Sequence, residues 1–230
     1  MIKIRKSEDR GHIQYDWLNT YHSFSFGEYY DPHHMHFQSL RVINEDYIKA
    51  DSGFPFHSHQ DMEILTYIIS GQLEHKDSIN NTSIISRGEL QLMRAGTGIT
   101  HSEYNSSKDE DVHLLQIWII PADKGLSPLY QQKNFEIDNN LNKLVLVASP
   151  DGQNDSFIIA QDVKVYASKI ADTKIDYLIN PKRKVWIQLV KGNITINKDY
   201  LLTNGDGVAI TDEASIKISG SGEFILFDLA

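Results

Sequence analysis

Short stretches of β-branched and aromatic residues, separated by turn-forming residues, recur along most of this 230-residue chain. Eight of them predict strands, at Leu40–Ile43, Glu63–Ile69, Val112–Ile120, Leu144–Ala148, Phe157–Ala160, Val185–Val190, Ile194–Ile196 and Phe224–Leu229. Helical periodicity is scarce, and only the stretch Leu126–Gln132 is a candidate for a short helix. Regular short strands favour a sandwich or a barrel, so we expect an all-β fold.

A weak internal repeat suggests that the fold contains two such barrels. The stretch from Glu63 to Glu74 can be laid over the stretch from Lys184 to Thr195, each with an apolar strand, a turn with a glycine and a second strand. The segment starting at Gly88 then matches the one starting at Gly207, with an offset that slips by two residues. Two copies of a small barrel explain both matches, and we predict domains at residues 1–130 and 131–230.

The two predicted domains differ in their histidine content. All ten histidines lie between His12 and His113. On the repeat register, His57 and His59 correspond to Leu178 and Asn180, and His101 and Glu103 correspond to Gly220 and Gly222. The second domain is therefore predicted to lack metal ligands, and any histidine site belongs to the first.

Composition excludes several classes of function. The chain has no cysteine, which excludes disulfides, thiolate catalysis and cysteine-ligated metals. The net charge of −9 argues against nucleic-acid binding, which relies on clustered Lys and Arg. No apolar run approaches the roughly 18 residues that would cross a membrane, and the N-terminus has no secretory signal. The sequence therefore predicts a cytoplasmic protein.

Two closely spaced pairs of polar side chains are the main candidate for a functional site: His57-Ser58-His59 and His101-Ser102-Glu103. Residues i and i+2 of a strand point to the same face, about 6.5–7 Å apart, so each pair can converge on one ion. Three imidazoles and one carboxylate suit Fe(II), Mn, Co, Ni, Cu or Zn. Glu63 lies on the same predicted face as His59 and remains an alternative carboxylate ligand.

The spacing of these residues resembles the cupin superfamily. Its first motif is visible as His57, His59 and Glu63, with Gly71 one position late, and its second as Gly88, Gly98, His101 and Asn105, although Arg94 replaces the usual proline. The match is closer to the pirin-like bicupins, and within them to bacterial quercetin 2,3-dioxygenase-like proteins. The segments that carry it are residues 21–26, 29–32, 40–44, 62–67, 95–105, 116–119 and 226–229.

The resemblance implies a bicupin, that is, two tandem jelly-roll barrels, with the metal in the first. It also implies that Glu103, rather than Glu63, completes the ligand set with His57, His59 and His101, and that Glu63 supports the site from outside the ligand set. The implied cofactor is one divalent transition metal, with Fe(II) preferred over Mn, Co, Ni, Cu or Zn.

The activity implied by the resemblance is oxidative cleavage of a flavonol-like enol by O2, with Glu103 as both ligand and general base. The partners are then a small aromatic substrate and dioxygen. The alternative is a non-enzymatic pirin-like protein that regulates a protein partner through the state of its metal.

The remaining histidines are interpreted as structural or solvated. His33, His34 and His36 are predicted to lie in a solvated loop, because no carboxylate or strand spacing supports coordination there. The other candidates for structural roles are His22, His75 and His113. The aromatic residues between Tyr21 and Tyr30 are expected to pack in the core or to line a flat pocket.

Overall fold

The computed structural model describes residues 1–230, which form nineteen β-strands and three short 3₁₀ turns. The prediction of an all-β fold is confirmed. The 3₁₀ turns are Ser7–Asp9, Ile137–Asn139 and Gln153–Asp155. None of the helical segments is long and apolar enough to cross a membrane.

The chain divides into two compact units, residues 11–135 and residues 1–10 with 136–230. Residues 1–10 join the C-terminal unit because strand β1 (Ile2–Arg5) pairs with strand β18 (Gly207–Ile210), and the boundary lies beyond the predicted residue 130 because strand β12 (Leu129–Asn134) pairs with strand β9 (Glu89–Arg94). The register joins Ile4 to Val208. A short strand at the start of the chain carries no signal that reveals so distant a partner.

The N-terminal unit, residues 11–135, contains two antiparallel sheets. Its strands are β2 (Gly11–Gln14), β3 (Leu18–His22), β4 (Leu40–Ile48), β5 (Ser52–His59), β6 (Glu63–Ser70), β7 (Gln72–Asp77), β8 (Thr82–Ser86), β9 (Glu89–Arg94), β10 (Ile99–Asn105), β11 (Val112–Ile119) and β12 (Leu129–Asn134). Seven strands form one sheet in the order β12-β9-β6-β11-β4-β3-β2, and four form the other in the order β5-β10-β7-β8.

The buried side chains of strands β6 and β11 change from apolar to polar and back along each of these two strands. On β6, Ile68 belongs to one apolar cluster and Ile64 to another, and Thr66 lies between them. On β11, Gln116 likewise follows Leu114 of the first cluster. Thr66 donates a hydrogen bond to Gln116 at 3.4 Å, and both side chains are buried. A layer of polar side chains, the polar belt, therefore separates two apolar clusters, and the candidate site lies at its level.

The C-terminal unit contains one eight-stranded sheet, which packs around an apolar core. Its strands are β1, β13 (Val145–Ser149), β14 (Phe157–Ile158), β15 (Val163–Leu178), β16 (Lys184–Ile196), β17 (Tyr200–Leu202), β18 and β19 (Ser215–Leu229), in the order β1-β18-β16-β19-β15-β13-β14 with β17 on β16. A single cluster of 14 buried Ile, Leu, Val and Phe side chains fills the core of this unit.

The repeat has a physical basis at its glycines. Gly71 and Gly192 both have left-handed backbones, with φ of 74° and 96°. A Cβ at Gly71 would lie 2.7 Å from the carbonyl oxygen of Asp111, and one at Gly192 would lie 2.4 Å from that of Ser221. Only glycine satisfies both the conformation and the close approach, which explains why the residue recurs in both copies.

Two details of the sequence analysis are wrong. Residues Leu126–Gln132 do not form a helix, because Leu129–Asn134 is strand β12, which pairs with β9. The repeat register also fails near the site: His57 pairs with His101, whereas Leu178 pairs with Ser215 and Gly220 with Thr173.

Candidate metal centre

The two polar pairs of the sequence lie on neighbouring antiparallel strands. His57 of β5 is directly opposite His101 of β10, and His59 is opposite Ile99. Burial alternates regularly along β10, so Ile99, His101 and Glu103 all point to the buried face. The period-two spacing therefore brings side chains from two distant stretches of chain to one place.

Three imidazoles converge on this face. The nitrogen atoms that His57, His59 and His101 offer to a metal all lie within 4.8 Å of one another. The ring centroids are 4.8 Å apart for His57 and His59, 4.4 Å for His57 and His101, and 4.9 Å for His59 and His101. These three histidines constitute a potential metal site.

The ring orientations leave nitrogen atoms available for a metal. His57 Nδ1 donates to the carbonyl oxygen of Pro55 at 2.8 Å, so its Nε2 keeps the lone pair. Pro55 lies at an irregularity of β5, where the pairing with β10 shifts between His101 and Glu103. His101 Nε2 is buried and has no hydrogen-bond partner, a costly state for a polar atom that a metal would relieve.

The surroundings keep two of these imidazoles neutral, as metal ligands must be. Burial, reinforced by the neighbouring His101 and His57, lowers the pKa of His59 to about 4. Burial, with His57 and His75 adding to it, lowers the pKa of His101 to about 3. Protons therefore do not compete for these two nitrogen donors near neutral pH. The residues present fit a divalent transition metal.

Glu103 lies beside the three histidines but outside their set. Its carboxylate groups instead with His75 and His101, within the same 4.8 Å limit. Both of its oxygens accept hydrogen bonds from Gln116 Nε2, each at 3.0 Å, and its side chain is 3% exposed. The polar belt thus holds the carboxylate in a defined orientation next to His101.

Glu63, the alternative carboxylate, forms an ion pair within the core. It is fully buried on β6, and its Oε1 accepts a hydrogen bond from Arg94 Nε at 2.6 Å. Arg94 occupies the position where the cupin motif has proline. The replacement of proline by Arg94 and the implied position of Glu63 outside the ligand set are therefore linked. A carboxylate that has a guanidinium partner needs no metal to compensate its charge.

The histidines outside the centre have their own partners. His34 pairs with Asp31 at 2.6 Å, and His36 contacts the carbonyl oxygen of Gln38 at 3.0 Å, both in the loop before β4. His113 pairs with Glu45 at 2.8 Å.

His75, which the sequence pattern indicated as structural, is fully buried next to His101. Its spacing from Asp77 on β7 repeats the i, i+2 pattern of the two recognised pairs and is the signal that was available.

A pocket opens next to the centre. It has a volume of about 180 Å³ and is lined by Ile13, Tyr15, Leu18, Thr20, His22, Phe26, Gly27, Glu28, Asn44, Asp46 and Phe54. Phe54 is 6.3 Å from the His57 ring, and Phe26 contacts Trp118, which in turn contacts His59 at 4.9 Å. Aromatic side chains therefore connect the pocket to the metal site.

Comparison with known proteins identifies the family. The Pirin family model matches residues 3–119, and the model described as the quercetinase C-terminal cupin domain matches residues 146–229. A quercetin 2,3-dioxygenase of Escherichia coli (strain K12) is 47% identical over 232 residues, which cover 100% of this chain and 99% of that protein.

Solved structures agree with this result. The bacterial pirin YhhW from Escherichia coli, in complex with nickel(II), superposes with a TM-score of 0.95 at 46% identity and covers 100% of this chain and 99% of its own. A quercetin 2,3-dioxygenase from Acinetobacter baumannii shares the fold, with a TM-score of 0.77 at 17% identity, over 98% of this chain and 85% of its own. The chain belongs to the pirin family of two-domain cupin proteins.

Proposed function

We propose that this protein is a metal-dependent dioxygenase that cleaves a flavonol-like enol with O2. The observation that carries the proposal is the convergence of three histidines, two of which, His59 and His101, have lowered pKa values, near a pocket whose lining includes Phe26 and Phe54. The relative named quercetin 2,3-dioxygenase, which matches along the whole chain, supports the reaction class. A cytoplasmic location is part of the proposal.

The proposed ligands are His57, His59, His101 and Glu103. The nickel(II) complex of the relative YhhW supports a divalent ion in this type of site. Fe(II) is the metal that we propose, since an imidazole and carboxylate set with an open position suits oxygen chemistry. Glu103 joins the ligand set if its carboxylate keeps one hydrogen bond to Gln116 and turns its other oxygen towards the histidines.

The side chains of the site divide the work of the reaction. A bound divalent ion would supply Lewis acidity and so lower the pKa of a substrate hydroxyl. Glu103, whose carboxylate lies within 4.8 Å of the nitrogen donor of His101, would take the proton, while Gln116 holds the carboxylate in place through two hydrogen bonds of 3.0 Å. Phe54 and Phe26 would orient a flat aromatic ring and limit the access of water.

The test is to load purified protein with Fe(II), Mn, Co, Ni, Cu or Zn and to follow the absorbance of a flavonol in air. We expect turnover with at least one metal and none without oxygen. His101→Ala should abolish turnover and metal binding together. His33→Ala, which removes an exposed loop histidine, is the matched control and should retain both.

Two outcomes would refute the proposal. Protein that holds a metal but turns over no flavonol with any ion would refute the oxygenase and favour the metal-responsive interaction protein. Protein whose activity survives His101→Ala would show that the chemistry occurs elsewhere.

A further inference from the structure

The side of His101 that faces away from His57 and His59 contacts a chain of buried polar groups. His101 Nδ1 lies 3.5 Å from His75 Nδ1, and His75 Nε2 lies 3.0 Å from Asp77 Oδ2. His75 and His101 are 0% and 1% exposed. Asp77, the last residue of β7, is therefore connected through His75 to His101, a proposed metal ligand.

Asp77 is itself held firmly. Its Oδ1 accepts backbone N–H bonds from Ile79 at 3.0 Å and from Asn81 at 2.9 Å, and its Oδ2 accepts a bond from Asn81 Nδ2 at 2.8 Å. The ring of Tyr130 covers His75 at a centroid distance of 4.9 Å. The Tyr130 hydroxyl is tied to Ser83 and donates to Gln132 at 2.6 Å. His75 thus sits in a rigid, closed environment.

The chemistry of these groups determines the position of each proton. A carboxylate only accepts, so His75 Nε2 carries the proton that it donates to Asp77. The Nδ1 of a neutral His75 then has a lone pair, so a hydrogen bond across the 3.5 Å between the two Nδ1 atoms requires the proton to be on His101 Nδ1. The lone pair of His101 is left on Nε2, the buried atom that has no hydrogen-bond partner.

We propose that His75, oriented by Asp77, is a positioning residue that fixes the ring and the metal-binding tautomer of His101. This inference rests on the metal centre of the proposed function but not on its substrate. His75 does not touch the metal and acts only through His101. Such outer hydrogen-bond partners typically change metal affinity by about 10–100-fold.

Two substitutions at position 75 separate hydrogen bonding from packing. The Oδ1 of an asparagine occupies the place of histidine Nδ1, so His75→Asn keeps an acceptor for His101 and loses the contact with Asp77. The amide nitrogen of a glutamine occupies the place of histidine Nε2, so His75→Gln keeps the contact with Asp77 and loses the acceptor. The two variants differ in which hydrogen bond survives, and His75→Asn leaves the larger cavity, so a smaller loss of affinity with asparagine than with glutamine does not arise from packing.

The experiment measures zinc(II) affinity of the full chain by competition with a chelator. We expect one zinc per chain, near wild-type affinity for His75→Asn, and a loss of about 10–100-fold for His75→Gln. Long-range ¹H–¹⁵N spectra of the metal-free wild type should show the proton of His101 on Nδ1. This signature does not depend on metal binding, so the inference is tested even if the metal centre of the proposed function fails.

Several results would overturn the inference. Equal losses for both variants would reduce His75 to a packing role, and no loss for either would remove its role altogether. Two zinc ions per chain, with one lost in the His75 variants, would make His75 a ligand of a second ion. A proton on His101 Nε2 in the metal-free protein would contradict the proposed tautomer.

Discussion

Asp46, a buried carboxyl group of the pocket, gives the most quantitative test of the electrostatics near the candidate site. This residue lines the pocket on β4 and is 3% exposed. Burial raises the pKa of Asp46 from 3.8 to about 7, and the negative charges of Glu103 and Glu45 act in the same direction. A shift of this size corresponds to about 4 kcal/mol, which the folded state loses when Asp46 ionises.

The sign of the effect follows from linkage. The folded protein keeps a proton on Asp46 that the unfolded chain releases near pH 3.8, so the folded state binds more protons between pH 3.8 and about 7. The contribution is therefore favourable below pH 3.8 and is lost as the pH rises through 7. Between pH 5 and pH 8 the loss should be about 2–3 kcal/mol.

Asp46→Asn removes the ionisation and should make the variant progressively more stable than the wild type as the pH rises. Denaturant unfolding of both proteins from pH 5 to pH 8 measures the gap directly. Asp123→Asn, an equal change of charge at an exposed position of the same unit, should show no such trend. A gap between Asp46→Asn and the wild type that stays constant with pH would refute the reasoning.

Two further predictions concern the ion pair and the metal. Arg94→Ala leaves the buried Glu63 carboxylate without its guanidinium, so we expect a loss of about 3–5 kcal/mol in the free energy of unfolding. Adding Glu63→Gln to Arg94→Ala should recover part of this lost free energy of unfolding. If Arg94→Ala alone causes no loss, other groups stabilise the Glu63 carboxylate. Zinc(II) at 100 times its Kd should raise the free energy of unfolding by about 2.7 kcal/mol in the wild type. An equal rise in His57→Ala would show that the ion binds elsewhere.

The sequence predicted the parts of this protein that depend on local pattern. Stretches of β-branched and aromatic residues identified β6, β11 and β16. The i, i+2 spacing placed His57 and His59 on one face, as the period of a strand requires. The parts that were missed depend on partners distant in the chain.

Strand β12 illustrates the limit. Residues Leu129–Asn134 lie partly within a stretch with weak helical character, but pairing with β9 provides backbone hydrogen bonds that override this local preference. His75 illustrates the same limit at the site, because nothing local shows that β7 and β10 are neighbours or that His75 faces His101. Only the tertiary pairing brings a histidine that looks structural next to the candidate metal centre.

The two barrels show why one of them holds the site. The interior of the C-terminal unit contains a continuous set of aliphatic and phenylalanine side chains, which is the arrangement that packing alone favours. The N-terminal unit instead places Thr66, Gln116 and His101 between two apolar clusters. Each buried polar group left without a partner costs about 1–3 kcal/mol, and His101 Nε2 is such a group. A buried polar group of this kind lowers stability unless something binds to it, which supports the proposal that a metal binds in the N-terminal barrel.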